Sequence, residues 1–518
     1  MHGLIALALI LIFAGCSRAP AVTVDGERLL GRYEGTVAAF RGIPFAEPPL
    51  GKLRWAAPQP LASRVDRRDA TRFAAACMQT MRILDWYRDM AETFGASRDY
   101  YADLEVSEDC LYLNVWTRSL NPDSRLPVMV WIHGGSNKSG WSYEDNYRGQ
   151  VLASQGAVVV TVAYRHGLFG FLSHPDLDGS DALANFGLWD IVAALRWIQD
   201  NIESSGGDPD RVTLFGESAG AENILALMMA EPARDLFHRG VLQSNAGFGI
   251  DMPGLDDETA RGAGLAELVG AASLDAMRKI DAARLLEAYT EHFDDHYHSP
   301  ANDGQLIEAS TWDAIRRGDF GDHDILIGTN RDEWLDSIDS DISMDDVAQA
   351  ARELPSIGGT NAYSLVDDET DPRRAMDRLL TAEGMICPSQ SLAVRRTDSG
   401  GKAWVYWFTR QREDAGGEKV GAYHGAEYPY VFGVHDDYMA TTDYDRRLSA
   451  LMQRYWINFA ATGDPNGSEL PAWPLFERAD PLVMELGDNV GPVPAIEPGL
   501  CRAFEQWIEN GAQSTPHR

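Results

Sequence analysis

Arg211-Val212-Thr213-Leu214-Phe215-Gly216-Glu217-Ser218-Ala219-Gly220 is the stretch on which the reading of this chain turns. Its first half is a short apolar run with the look of a strand. Ala221 to Ala230, which follows, has the look of a helix. A serine bracketed by glycines at the second position on either side, between a strand and a helix, belongs on a sharp turn that lifts its hydroxyl above the end of a sheet. Glycine suits such a turn because it lacks a Cβ. His133-Gly134-Gly135 lies upstream, and Glu333 and His424 follow downstream, in the chain order serine, acid, histidine.

Working outward, other apolar runs read as strands: Pro127 to His133, Ala157 to Tyr164, Gly240 to Ser244, Ile325 to Gly328, Ala403 to Phe408 and Leu482 to Leu486. Those at 127–133 and 157–164 are continuously apolar, as strands covered on both faces are. Leu188, Ile191, Val192, Leu195 and Ile198 recur at helical spacing within Asn185 to Ile202. Val22 to Thr36 alternates polar and apolar residues around glycines, as a hairpin region does. Strands alternating with helices predict an α/β fold built on a large, mostly parallel, doubly wound central sheet flanked by helices. Two acidic, helix-like insertions, Asp251 to Asp319 and Ser343 to Arg396, are expected to form a cap over the active site.

The 518 residues, 45% apolar and 24% charged, are those of an ordinary globular protein able to bury a sizeable core. A net charge of −33 argues against a nucleic-acid partner, whose phosphates require a basic surface. Gly3 to Gly15 is almost wholly apolar yet shorter than the roughly 20 residues that span a bilayer, so it reads as an export signal. It ends in Phe13-Ala14-Gly15-Cys16, which resembles a bacterial lipobox and makes Cys16 the expected lipidation site; Ser17 then resembles sorting to the outer membrane. Cleavage after Ala19-Pro20-Ala21 is the alternative and would leave a periplasmic or secreted protein. The expected organisation is a signal over 1–21, one domain over 22–512 and a tail over 513–518. With Cys16 set aside, Cys77, Cys110, Cys387 and Cys501 allow three pairings, and export makes disulfides plausible.

Serine is a weak nucleophile at neutral pH and needs a base to take its proton. Histidine suits that task, a buried carboxylate fixes its tautomer, and preorganised N–H groups hold the oxyanion. Ser218 is the nucleophile in this reading, with the Ala219 N–H aimed where the oxyanion develops. Gly134-Gly135-Ser136 offers further donors. Glu333 follows a strand, at the end where open α/β sheets place their sites, and His424 lies in a loop-like stretch. From the residues alone, His133 rivals His424 as the base and Asp332 rivals Glu333 as the acid.

These residues belong to a larger pattern that resembles the type-B carboxylesterase/cholinesterase family of α/β-hydrolases. It includes Phe40-Arg41-Gly42-Ile43-Pro44-Phe45-Ala46-Glu47-Pro48-Pro49, Ser107-Glu108-Asp109-Cys110-Leu111-Tyr112-Leu113-Asn114, Tyr164-Arg165, Gly167 to Leu172, Gly206-Gly207-Asp208-Pro209 and Gly463-Asp464-Pro465-Asn466. The resemblance implies a serine esterase without metal or cofactor, acting on a small-molecule ester through an acyl-enzyme. It assigns the acid to Glu333, the base to His424, the oxyanion donors to Gly135, Ser136 and Ala219, and supporting places to Gly134, Ser244 and Glu427. It also implies the disulfides Cys77–Cys110 and Cys387–Cys501. An amide, thioester or carbamate substrate, or a non-catalytic adhesion role on the same fold, stays open at this point. Three positions depart from the family pattern: Ser136, Asn137 followed by Lys138, and Ala163. Asn137 and Lys138 predict a more polar pocket wall and a preference for esters with a polar or anionic acyl part. The family's choline-site tryptophan has no counterpart in Arg98-Asp99-Tyr100-Tyr101-Ala102, and Trp86 lies far from that stretch in sequence.

Overall fold

The computed structural model describes residues 19–510, apart from 63–64, 180–181, 245–253, 294–295, 309–312, 314–316, 318–319 and 359–361. Cys16 and all but the last three residues of the expected export signal lie outside the described residues. Among the described residues, no helix is long and apolar enough to cross a membrane.

In chain order the strands are β1 (Ala21–Val24), β2 (Glu27–Leu30), β3 (Arg32–Glu34), β4 (Val37–Pro44), β5 (Arg67–Asp69), β6 (Ala76–Cys77), β7 (Val106–Ser107) and β8 (Tyr112–Thr117), then β9 (Leu126–Ile132), β10 (Val158–Val162), β11 (Gly207–Glu217), β12 (Arg239–Gln243), β13 (Asp324–Asn330), β14 (Ala403–Phe408), β15 (Leu482–Leu486) and β16 (Val490–Pro494). Eleven of them form one sheet in the order β16-β15-β14-β13-β12-β11-β9-β10-β8-β4-β3. Every neighbouring pair from β10 across to β15 is parallel; β8, β4, β3 and β16 are antiparallel to their neighbours. The predicted strands are present. β4, β8 and β16 had no strand reading in the sequence; β4 and β8 overlap the family strings. The N-terminal alternation is the β1–β2 hairpin, which pairs with β5 outside the main sheet.

Both faces of the sheet are covered, so side chains alternate between two cores. On one face Val128, Val130, Ile132 and Leu214 meet Leu188, Ile191 and Leu195 of the helix Phe186–Asn201 and Ile224 of the helix Ala219–Met229. On the other, Met129, Trp131 and Phe215 meet Met452, Trp456 and Phe459 of the helix Asp443–Thr462. The first acidic insertion builds a separate core of its own: Leu265 and Leu285, from the helices Leu255–Leu268 and Ala282–Phe293, close over Leu168, Phe169 and Phe186. The second insertion differs from the expected cap in part. Its last helix, Cys387–Asp398, packs Leu392 and Ala393 into the sheet core beside Ile325, Ile327 and Val405, and is a flanking layer. The reason is burial: this helix is followed directly by β14, and its apolar side has the sheet to cover.

Both disulfides implied by the resemblance are present, Cys77–Cys110 and Cys387–Cys501. They close chain separations of 33 and 114 residues. In the chain-entropy model these contribute roughly 3.5–4 and roughly 5 kcal/mol. The second ties the helix Cys387–Asp398 to the C-terminal helix Pro498–Glu509.

Candidate active site

The strand order reverses direction at β9, with β10 on one side and β11 on the other. Open α/β sheets bind ligands outside the carboxyl ends of the strands at such a switch point. Register makes the crevice specific. Gly216 pairs with Ile132, so the chain leaving β9 at His133 and the chain leaving β11 at Ser218 emerge side by side. A Cβ on Gly216 would lie 2.5 Å from the Ile132 carbonyl oxygen, and one on Gly220 only 2.1 Å from the same atom. Neither glycine has a positive φ. They are needed for close approach, and the strained backbone falls on the serine itself, at φ 53° and ψ −127°. Such a non-glycine conformation costs of order 1–3 kcal/mol and persists where its surroundings over-determine it. Here the Ser218 N–H donates to the Gln243 carbonyl at 2.9 Å, and the Ser218 carbonyl accepts from Glu222 N–H at 3.0 Å. Ser218 remains partly exposed.

The loop after β9 turns back on the same crevice. A Cβ on Gly134 would come within 3.0 Å of the Ser218 Cβ, and one on Gly135, at φ 106°, within 2.0 Å of the Ser139 carbonyl oxygen. Ser136 and Asn137 follow in the left-handed region, at φ 59° and 52°. Among the described residues, the backbone N–H groups of Gly135, Ser136 and Ala219 donate to no protein acceptor. The Ser136 hydroxyl accepts from Arg82 at 3.2 Å. Asn137 departs from the polar-wall expectation. It is fully buried, its Nδ2 donates to the His298 carbonyl at 2.7 Å, and its Oδ1 accepts from Asn223 at 2.8 Å. The amide is committed to holding the loop, which leaves Lys138 as the polar group of the pair.

Glu333 and His424 arrive from the strands beyond. Glu333 follows β13 and is fully buried. One of its oxygens, Oε1, accepts from Ser244 Oγ and from the Asn330 N–H, each at 2.7 Å. The other, Oε2, lies 2.6 Å from His424 Nδ1. Glu427 accepts from Gln243 at 2.9 Å and from Asn330 at 2.6 Å, and Gln243 in turn accepts from Trp456 at 3.1 Å. Burial, followed by the charge of Glu217, pushes Glu427 up to about 7. The other imidazole nitrogen of His424, Nε2, lies 2.9 Å from Glu217 Oε1, in ion-pair contact but without the alignment of a hydrogen bond. Burial opposes a charge on His424, yet Glu217 and Glu333 on its two sides outweigh it and hold its pKa well above the ordinary value. Trp334 stacks on the imidazole at 5.7 Å.

The two rivals lie in other surroundings. His133 is fully buried, stacked on Tyr164, with Nδ1 on the Gly134 carbonyl, and burial pushes it down to about 4. Asp332 turns to Arg331, Arg374 and the Ala422 N–H. Asn330, Gln243, Trp334 and Glu217 carry parts of the site that the sequence reading did not assign. Glu217 sat inside the quoted motif, and Asn330 three residues before Glu333 was the available signal for the second. Tyr101 is consumed by its hydrogen bond to Asp436. Trp86, though distant from that stretch in sequence, packs 6.1 Å from Tyr423, the neighbour of His424.

Comparison with known proteins matches residues 18–495 to the carboxylesterase family. A liver carboxylesterase of Sus scrofa is 32% identical, covering 91% of this chain and 90% of its own. A fumonisin B1 esterase of Sphingopyxis macrogoltabida is 32% identical, covering 88% and 85%. The solved structure of a PNB esterase superposes with a TM-score of 0.81 at 30% identity, covering 93% of this chain and 99% of that one.

The two flanking carboxylates predict how His424 titrates. Its imidazole resonance, assigned by loss in His424→Gln, is expected to titrate above pH 6.5, and Glu217→Gln should move that midpoint down by at least one pH unit (about 1.4 kcal/mol). A midpoint unmoved by Glu217→Gln would show that this contact places no charge on the imidazole.

Proposed function

The chain belongs to the carboxylesterase family and is a carboxylic ester hydrolase, and from that premise we propose that Ser218, His424 and Glu333 carry its chemistry. The observation that supports this most is His424, clamped by Glu333 at 2.6 Å and lying against Glu217, the residue peptide-bonded to Ser218. In this reading Ser218 Oγ attacks the ester carbonyl while His424 Nε2, released from Glu217, takes its proton. The N–H groups of Gly135, Ser136 and Ala219 receive the oxyanion. His424 then protonates the departing alcohol, leaving an acyl-serine. Water, deprotonated by the same imidazole, attacks the acyl carbon and frees the acid and Ser218. Glu333 holds the imidazole with its proton on Nδ1 and stabilises the imidazolium, and Ser244 and Asn330 hold Glu333. Only the neutral imidazole can act as base, so kcat/KM is expected to fall as pH drops through the raised His424 pKa.

Turnover of p-nitrophenyl acetate, butyrate and octanoate tests the assignment. Ser218→Ala should lower kcat by about six orders of magnitude; near-native turnover in that variant would remove Ser218 from the role. For the acyl side, Lys138 is the remaining basis for a preference for anionic acyl groups. Lys138→Ala should lower the ratio of kcat/KM for hemisuccinate over butyrate esters by about tenfold, an interaction of about 1.4 kcal/mol; an unchanged ratio ends that reading. The apolar run ending in Cys16 supports export and a lipid tether. Radiolabelled palmitate should enter the protein expressed in a bacterial host and be absent from Cys16→Ser; label retained in that variant would mean the tether is elsewhere, and label absent from both would favour cleavage near Ala21.

A further inference from the structure

The first acidic insertion brings together three side chains that the esterase chemistry does not use. Glu258 lies on the helix Leu255–Leu268 and is 1% exposed. His296 and His298 come from a segment about forty positions later. Each of the three offers one ligand atom, and these atoms all lie within 4.8 Å of one another. His296 Nε2 is 3.2 Å from Glu258 Oε1, close to the roughly 3.4 Å edge of a tetrahedron with the 2.0–2.1 Å bonds of zinc.

A second observation points to a ligand. His298 is 1% exposed, and among the described residues its buried Nδ1 has no hydrogen-bond partner. Its ring meets that of His296 edge-on at 4.8 Å and stacks on Tyr289 at 5.6 Å. A buried imidazole with an idle nitrogen costs free energy as a structural group, because buried polar atoms are normally paired. The cost is relieved when a metal takes the lone pair.

We propose that Glu258, His296 and His298 form a binding site for a divalent transition metal of the zinc class. Two imidazoles and one carboxylate are borderline ligands that suit zinc over magnesium or calcium. Three protein ligands leave a coordination position for water. Arg261, one turn along the same helix and partly exposed, sets its guanidinium on Glu258 at 3.1 and 3.3 Å, so a metal entering the site would compete with it for the carboxylate. The site joins the insertion to the catalytic loop: the backbone carbonyl of His298 accepts from Asn137, one residue beyond Ser136, and Tyr297 donates to Glu222, four residues past Ser218, at 2.9 Å. Zinc would therefore pin the 296–298 segment against the helix Leu255–Leu268 and, through it, the loop behind the oxyanion donors.

The test is zinc binding by the chelator-stripped, purified protein, read as stoichiometry by calorimetry and metal analysis, with the thermal unfolding midpoint as a second readout. One zinc per chain is expected, with a raised midpoint. His298→Ala and Glu258→Gln should each weaken binding at least a hundredfold. Should either buried variant fail to fold, His296→Ala, at the more exposed ligand, should give the same loss with native circular dichroism. Arg261→Gln should tighten binding, which a purely structural triad would not predict. Absence of stoichiometric zinc binding, or binding unaffected by His296→Ala in folded protein, overturns the proposal. None of these readouts depends on ester turnover.

Discussion

The Ile132 carbonyl oxygen is the atom around which the catalytic end of the sheet is organised. Gly216, within β11, and Gly220, in the helix that follows it, each approach it so closely that a Cβ would overlap it. That contact presses the helix Ala219–Met229 against β9 and leaves the connecting peptide too little length for an ordinary turn. The strain is taken by Ser218, whose φ of 53° is one that L-residues seldom adopt. From that geometry the rest follows. Among the described residues the Ala219 N–H that opens the helix has no protein acceptor, and the loop after β9 passes so close that a Cβ on Gly134 would come within 3.0 Å of the Ser218 Cβ. A methyl group at Gly216 or Gly220 would disrupt all of these relations together.

The second organising feature is electrostatic. Glu217 and Glu333 are buried on either side of one imidazole, and Glu427 is buried behind them on Gln243 and Asn330. Charges in such surroundings interact far more strongly than in water, so the cluster persists only because its members are differently provided for. Glu333 has three polar partners including His424. Glu427 has amide donors and is pushed up toward a neutral form by burial and by Glu217. Glu217 has an oxygen without a hydrogen bond that faces the imidazole. The resting site therefore holds His424 between an orienting carboxylate and a competing one. In the proposed reaction, substrate turns Nε2 from Glu217 to Ser218 while Nδ1 keeps its contact with Glu333.

Around this centre, one of the chain's departures from its family has been absorbed into structure. Asn137 stands where an apolar residue is usual, yet its amide is spent on Asn223 and on the His298 carbonyl. A polar side chain next to an active site is not thereby a substrate contact: buried amides need partners, and here the protein supplies them. That exchange also couples the oxyanion loop to the insertion that carries Glu258, His296 and His298.

The sequence by itself determined the strand–turn–helix containing Ser218, the alternation that makes a doubly covered parallel sheet, and, through family strings, Glu333, His424 and both disulfides. Those are local or recurrent features: apolar runs report burial on both faces, and glycine spacing reports close backbone approach. It could not choose between Glu333 and Asp332 or between His424 and His133 from physical chemistry alone, because a side chain's direction at a strand end depends on which neighbour it meets. The tertiary structure decided where the rivals go, sending Asp332 to Arg331 and Arg374 and burying His133 against Tyr164. It also decided that Glu217 would face His424, that Asn137 would turn inward, and that the helix Cys387–Asp398 would flank the sheet instead of capping it. Each of these is set by contacts between residues far apart in the chain, for which one-dimensional spacing carries no signal.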